Sequence, residues 1–91
     1  MINTLIVVTQ DEDEITEKLV KQLSNFANVF KKTYRTYIAS GTDEGMEYIR
    51  EYVSDFNEIM LEADDPIYKN HKQEILDLTG KNNVMLNLVS C

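Results

Sequence analysis

The stretch LIVV at residues 5–8 decides the fold, because it places four apolar residues in a row, three of them β-branched. A continuous run of this kind is typical of a strand that is buried on both faces, as in a parallel sheet. The acidic run DEDE follows at residues 11–14. Apolar residues then recur at steps of three and four, which predicts an amphipathic helix over roughly residues 12–31.

The same alternation of strand and helix continues to the end of the sequence. The stretch YRTYIA is rich in β-forming residues but carries polar ones, which indicates a strand near an edge of the sheet. We predict strands over residues 34–39, 56–61 and 84–89, a helix capped by Thr42, and a helix that Pro66 opens and Gly80 ends.

The predicted order is β-α-β-α-β-α-β, which indicates an α/β fold with a mostly parallel four-stranded sheet. Helices on both faces would make a three-layer sandwich, and we expect the strand order 2-1-3-4. An antiparallel last strand at an edge is the alternative. We interpret residues 1–91 as a single α/β domain.

The composition bounds the function classes. The formal net charge of −7 argues against direct nucleic-acid binding, where a basic surface supplies most of the affinity. It permits a partner with a basic surface, or a bound cation, and it also serves simply to keep a small protein soluble. The one cysteine, Cys91, fits a reducing compartment. Since no signal peptide or membrane span is visible, we expect a cytoplasmic protein that binds no membrane.

Two acidic segments follow predicted strands. Residues 11–13 come after the first strand, and residues 62–65 come after the third. With the order 2-1-3-4, both segments leave the sheet where the strand order reverses, which is where open α/β sheets bind ligands. We therefore predict a partner-binding surface made of Asp11, Glu12, Asp13, Glu62, Asp64 and Asp65.

The same carboxylates suit a hard cation. Mg²⁺ takes one or two carboxylates and several waters, so Asp11, Asp13, Glu62 and Asp64 are candidate magnesium ligands. A structural role competes with both predictions. Asp65 followed by Pro66 is typical of an N-cap and a first helical position, and acids at a helix start stabilise its positive end.

The acidic pattern resembles two known families. A Toprim domain has a glutamate after its first strand and an Asp-x-Asp pair after its third, and here Glu62-Ala63-Asp64 takes the second position while Thr9-Gln10 takes the first. The pattern is also similar to a response-regulator receiver, with Asp11 and Asp64 as the nearest matches. Either resemblance implies a magnesium-dependent phosphoryl-transfer or phospho-acceptor domain.

Other chemistry-bearing residues carry weaker signals. His71 is the only histidine and has no cysteine or second histidine to complete a zinc site. The five tyrosines could supply an interaction face or could line the margin of the core, and these are Tyr34, Tyr37, Tyr48, Tyr52 and Tyr68.

Three functions follow from these patterns. The sequence favours a small acidic, non-catalytic regulatory protein that binds a basic partner, such as an inhibitor that mimics nucleic-acid charge; it needs no cofactor. The first alternative is the Mg²⁺-dependent domain, which would make the protein an enzyme or phospho-acceptor. The second is a structural subunit that forms a homo-oligomer through an edge strand, over residues 34–39 or 84–89.

Overall fold

The computed structural model describes residues 3–91. Its strands are β1 (Thr4–Thr9), β2 (Tyr34–Ala39), β3 (Glu58–Glu62) and β4 (Met85–Val89). Its helices are α1 (Asp13–Val29), α2 (Thr42–Tyr52) and α3 (Pro66–Lys81), and a short 3₁₀ turn covers Val53–Asp55. None of these helices, which are all the α-helices in residues 3–91, is long and apolar enough to cross a membrane.

The strands form a parallel sheet in the order β2-β1-β3-β4, which confirms the predicted order. β1 pairs with β2 along its whole length, so that Thr4 lies opposite Tyr34 and Thr9 opposite Ala39. The last strand is parallel to its neighbour, which excludes the antiparallel alternative. The outer strands of the described sheet are β2 and β4. These are the two strands through which a structural subunit was predicted to form a homo-oligomer.

The helices cover both faces of the sheet, as the sequence predicts. α2 and α3 pack on one face, where Met46, Ile49 and Ile75 meet apolar side chains of β1 and β3. α1 packs on the other face, where Leu23 and Ala27 meet the opposite side of the same strands. The LIVV stretch is fully or almost fully buried. Alternate side chains along a strand point to opposite faces of the sheet, so the stretch packs in both cores.

A buried polar network holds the amino-terminal end of the sheet. The Glu58 carboxylate accepts hydrogen bonds from the Thr4 hydroxyl at 2.8 Å and the Asn87 amide at 3.0 Å. The Lys32 ammonium group lies 2.6 Å from both carboxylate oxygens. Burial acts to raise the pKa of Glu58, but these three donors outweigh burial and hold the pKa below its usual value. The network thereby joins β1, β3 and β4.

The ends of several elements differ from the sequence-based prediction: α1 covers 13–29 rather than roughly 12–31, β3 covers 58–62 rather than 56–61, and β4 begins at Met85 rather than at residue 84. Gly41, not Thr42, occupies the N-cap position of α2. Gly80 lies within α3, and Asn83, which takes a left-handed conformation with a φ of 56°, follows the end of the helix in place of Gly80. Asparagine tolerates this conformation because its short polar side chain can bond locally, so the predicted helix end was wrong by a few residues. α3 also kinks at His71, whose φ is −131°.

Candidate functional site: an acidic cleft and a tyrosine groove

A cleft of about 270 Å³ opens at the carboxyl ends of β1 and β3. The chain moves from β1 to β2 in one direction and from β2 to β3 in the other, so this is the point where the strand order reverses. We call it the acidic cleft; its lining residues are Thr9, Gln10, Asp11, Leu19, Glu62, Asp64, Asp65 and Pro66. The two acidic segments therefore meet, as the fold prediction requires.

Asp65 differs from the other predicted site residues because it is buried, with 5% of its surface exposed. Its carboxylate accepts hydrogen bonds from the backbone N–H and the hydroxyl of Thr9, at 3.0 and 2.7 Å, and from the Ile67 N–H at 2.9 Å. It is the N-cap of α3, ahead of Pro66, as the sequence predicts. These hydrogen bonds tie the end of β1 to the start of α3, and the role of Asp65 in partner binding stays a prediction.

The other acids of the cleft keep most of their oxygen atoms available. One oxygen of Glu62 accepts from the Asp64 N–H at 2.6 Å, and one oxygen of Asp11 accepts from the Glu12 N–H at 2.8 Å. Asp64 is exposed, and its nearest cation is the Lys69 ammonium group at 3.7 Å. Such an exposed pair is weak and leaves the carboxylate accessible.

Glu12 and Asp13 lie beside the cleft rather than in its lining. Glu12 occupies the N-cap position of α1 without a capping hydrogen bond from its side chain, and Asp13 is the first residue of the helix. Both side chains are exposed. Together with the cleft acids they form a surface that we call the acidic rim, which consists of Asp11, Glu12, Asp13, Glu62 and Asp64.

The cleft lining contains only three of the four predicted magnesium ligands. In the part of the chain from residue 3 onward, no three His, Cys, Asp or Glu side chains are arranged to hold a metal ion. Asp11, Glu62 and Asp64 still line one cleft and could each supply an oxygen ligand, whereas Asp13 lies outside that lining. The magnesium site therefore stays a prediction.

A second, larger concavity of about 570 Å³ lies between β2 and α2. We call it the tyrosine groove; its lining residues are Tyr37, Glu44, Glu47, Tyr48, Arg50 and Glu51. The rings of Tyr37 and Tyr48 are stacked, with centroids 3.7 Å apart and planes inclined by 13°. The ring of Tyr52 lies next to this pair, with its centroid 4.5 Å from that of Tyr48. The groove shares no lining residue with the acidic cleft.

Glu44 is fixed at the groove by two hydroxyl groups. The hydroxyls of Ser40 and Tyr37 both donate hydrogen bonds to its carboxylate, and these bonds lower the pKa of Glu44. The hydrogen bond to Glu44 raises the pKa of Tyr37 to about 12, with burial adding to the effect. The carboxylate therefore stays ionised and the phenol stays neutral at physiological pH.

Comparisons with known proteins do not assign the chain to a family. A scan of protein-family models finds no match, and searches of curated proteins and of solved structures find no significant match.

Sequence reasoning found the acidic cleft but not the tyrosine groove. The sequence leaves open whether the tyrosines form an interaction face or line the margin of the core, because the stacking of Tyr37 on Tyr48 depends on how α2 packs against β2. One signal was available in the sequence. Glu44, Tyr48 and Glu51 follow each other at steps of four and three, which places them on one side of a helix.

Proposed function

We propose that this chain is a small, non-catalytic interaction protein that binds a basic partner protein through the acidic rim. The observation that carries the proposal is the acidic cleft, where segments more than 50 residues apart place Asp11, Glu62 and Asp64 around one opening. Carboxylates gathered in this way repel one another, and a cationic partner would relieve that repulsion.

The charge of the whole chain supports the same proposal. Sixteen acidic side chains against nine lysines and arginines give a formal charge of −7, so a basic partner would be attracted before contact. In its most specific form, the protein occupies the nucleic-acid-binding surface of its partner and inhibits that partner. The acidic rim then stands in for phosphate groups.

The test compares two variants with equal charge. In the rim variant, Asp11→Asn, Asp13→Asn and Asp64→Asn remove three negative charges from the acidic rim. In the control variant, Glu17→Gln, Asp55→Asn and Asp77→Asn remove three from exposed positions elsewhere. Partners are captured from the native host's lysate with the wild-type protein, identified by mass spectrometry, and then purified for affinity measurements with all three proteins.

We expect the control variant to bind the purified partner nearly as well as the wild type, and the rim variant to bind at least about tenfold more weakly. The wild-type affinity should fall steeply as salt is raised, because the contact depends on exposed charges. Equal binding by the rim variant, or an affinity that does not change with salt, would exclude this function.

Magnesium-dependent phosphoryl chemistry is a second candidate, favoured by the position of the acidic cleft at the reversal of strand order. Titration calorimetry with Mg²⁺ tests it directly. We expect heat of binding at millimolar Mg²⁺ that disappears in the double variant Asp11→Ala, Asp64→Ala. The absence of binding, or binding that survives in the double variant, would rule out this candidate.

A further inference from the structure

The tyrosine groove combines aromatic faces with carboxylates. Tyr37 and Tyr48 are half-buried and stacked, and Tyr52 lies against Tyr48, so the rings are held in place by their neighbours. A ring face carries partial negative charge and attracts a cation placed over it. Tyr37 and Tyr48 both line the groove, so they give it aromatic surface that favours positive charge.

The acidic side chains around the groove also favour a positively charged ligand. Glu44, Glu47 and Glu51 line it, and Glu47 and Glu51 are exposed, with no ion pair among the described residues. Arg50 is the one cation in the lining, and its guanidinium is held by Glu74 of α3, with one N–H···O distance of 2.8 Å. The groove therefore keeps an excess of negative charge.

The backbone beside the groove is also available. β2 pairs with β1 on one side, and no other strand within residues 3–91 pairs with its outer side. An outer strand presents unpaired N–H and C=O groups to which an extended peptide can add. Tyr37 belongs to this strand, so a peptide along β2 would bring its side chains to the groove.

We propose that the tyrosine groove binds the guanidinium group of an arginine side chain carried by an extended segment of a partner protein. The planar guanidinium can lie on a tyrosine ring and at the same time donate hydrogen bonds to Glu47 and Glu51. A lysine ammonium group would gain the charge attraction but not the planar stacking. The proposal does not depend on the acidic rim, because the two surfaces have no lining residue in common.

The test uses a short blocked peptide with a single arginine between glycines, and the same peptide with citrulline, which has the shape of arginine without its charge. Each peptide is titrated into ¹⁵N-labelled protein, and backbone amide shifts are followed by NMR. We expect saturable shifts for the arginine peptide at Tyr37, Glu47, Tyr48 and Glu51, and only small shifts for the citrulline peptide.

Two double variants with the same change in charge locate the effect. Glu47→Gln with Glu51→Gln should weaken binding at least about fivefold, because both carboxylate partners of the guanidinium are lost. Glu14→Gln with Glu17→Gln changes exposed acids on α1 and should weaken it less than about twofold. Tyr48→Leu should also weaken binding, although the charge is unchanged, because the ring face is lost.

Three results would overturn the proposal. The first is an equal response to citrulline, and the second is equal binding by the Glu47 and Glu51 variant. The third is an absence of saturable shifts in the groove. Shifts confined to residues near Asp11 and Asp64 would belong to this third result, and they would support the acidic rim while excluding the groove. Failure of the groove is therefore distinguishable from failure of the rim.

Discussion

Asp65 and Thr9 are joined by two hydrogen bonds, one from the Thr9 backbone N–H and one from its hydroxyl, both to the Asp65 carboxylate. The two residues are 56 positions apart in the chain. The bonds tie the end of β1 to the start of α3 and so fix the spacing across the acidic cleft. One carboxylate thereby caps a helix and sets the geometry of the candidate site.

Replacing Asp65 should therefore destabilise the fold far more than replacing its neighbour. We expect Asp65→Ala to lower the free energy of unfolding by about 2–3 kcal/mol, because the helix cap is lost and the Thr9 donors lose their partner. Asp64→Ala should change it by less than about 0.5 kcal/mol, since Asp64 is exposed. Urea unfolding of both variants measures the difference, and similar values for the two would contradict the role given to Asp65.

The contact between α2 and α3 depends on Gly45. A Cβ atom there would collide with the end of the buried Ile67 side chain, and it would lie 3.3 Å from the Ala39 Cβ. We expect Gly45→Ala to destabilise the protein by about 1 kcal/mol, because crowding outweighs the better helix propensity of alanine. The thermal midpoint and the urea midpoint should both fall.

Gly80→Ala is the matched control for that change. Both glycines lie in helices, but nothing lies within 4 Å of a Cβ atom placed at Gly80. Its backbone φ is not positive, so alanine fits without strain. We expect a gain of about 0.5 kcal/mol from helix propensity and from reduced freedom of the unfolded chain. A stabilising Gly45→Ala would show that Ile67 moves without difficulty.

The Glu58 network predicts how stability depends on pH. The folded-state pKa of Glu58 lies below its ordinary value of 4.5, so its stabilising effect is fully present above 4.5 and is lost as pH falls through the folded pKa. Glu58→Gln removes this dependence. The difference in unfolding free energy between wild type and variant should therefore stay constant at neutral pH and shrink below pH 4.5. A difference that grows on acidification would show the opposite shift.

Lys32 should stabilise the fold because it neutralises a nearly buried carboxylate. The exposed fractions of the two side chains are 22% for Lys32 and 7% for Glu58. We expect Lys32→Met to lower the unfolding free energy by roughly 2 kcal/mol, less than for a fully buried pair because Lys32 is partly solvated. Lys21→Met, at an exposed position of α1, should have an effect below about 0.5 kcal/mol. Equal losses would mean that the pair with Glu58 contributes little.

The order and direction of the strands could be predicted from the sequence because they follow from patterns within short windows. The buried run at residues 5–8 indicates a central parallel strand, and Asp65-Pro66 marks the start of α3. The kink at His71 could not be predicted in this way. Neither could the use of Asn83 to end α3, because both depend on packing and local backbone geometry.

Of the two candidate sites, the acidic cleft could be predicted from the sequence and the tyrosine groove could not. The acidic cleft follows from topology, because parallel strands bring the segments after their carboxyl ends to one edge. The burial of Asp65 and the stacking of Tyr37 on Tyr48 depend on side-chain contacts between elements that are distant in sequence or belong to different layers. Periodicity places Glu44, Tyr48 and Glu51 on one side of α2 but does not show what that side packs against, so the tyrosine groove could not be predicted from the sequence.

In the described part of the chain, α1 is the one helix that packs on its face of the sheet. Ile6, Val8 and Met60 are fully or almost fully buried beneath it. If α1 detached, these side chains would meet water together, because no second helix shelters them. We therefore expect this half of the molecule to open as one unit. A substitution that changes the rate of amide hydrogen exchange in α1 should change the rate in the middle of β1 in the same direction.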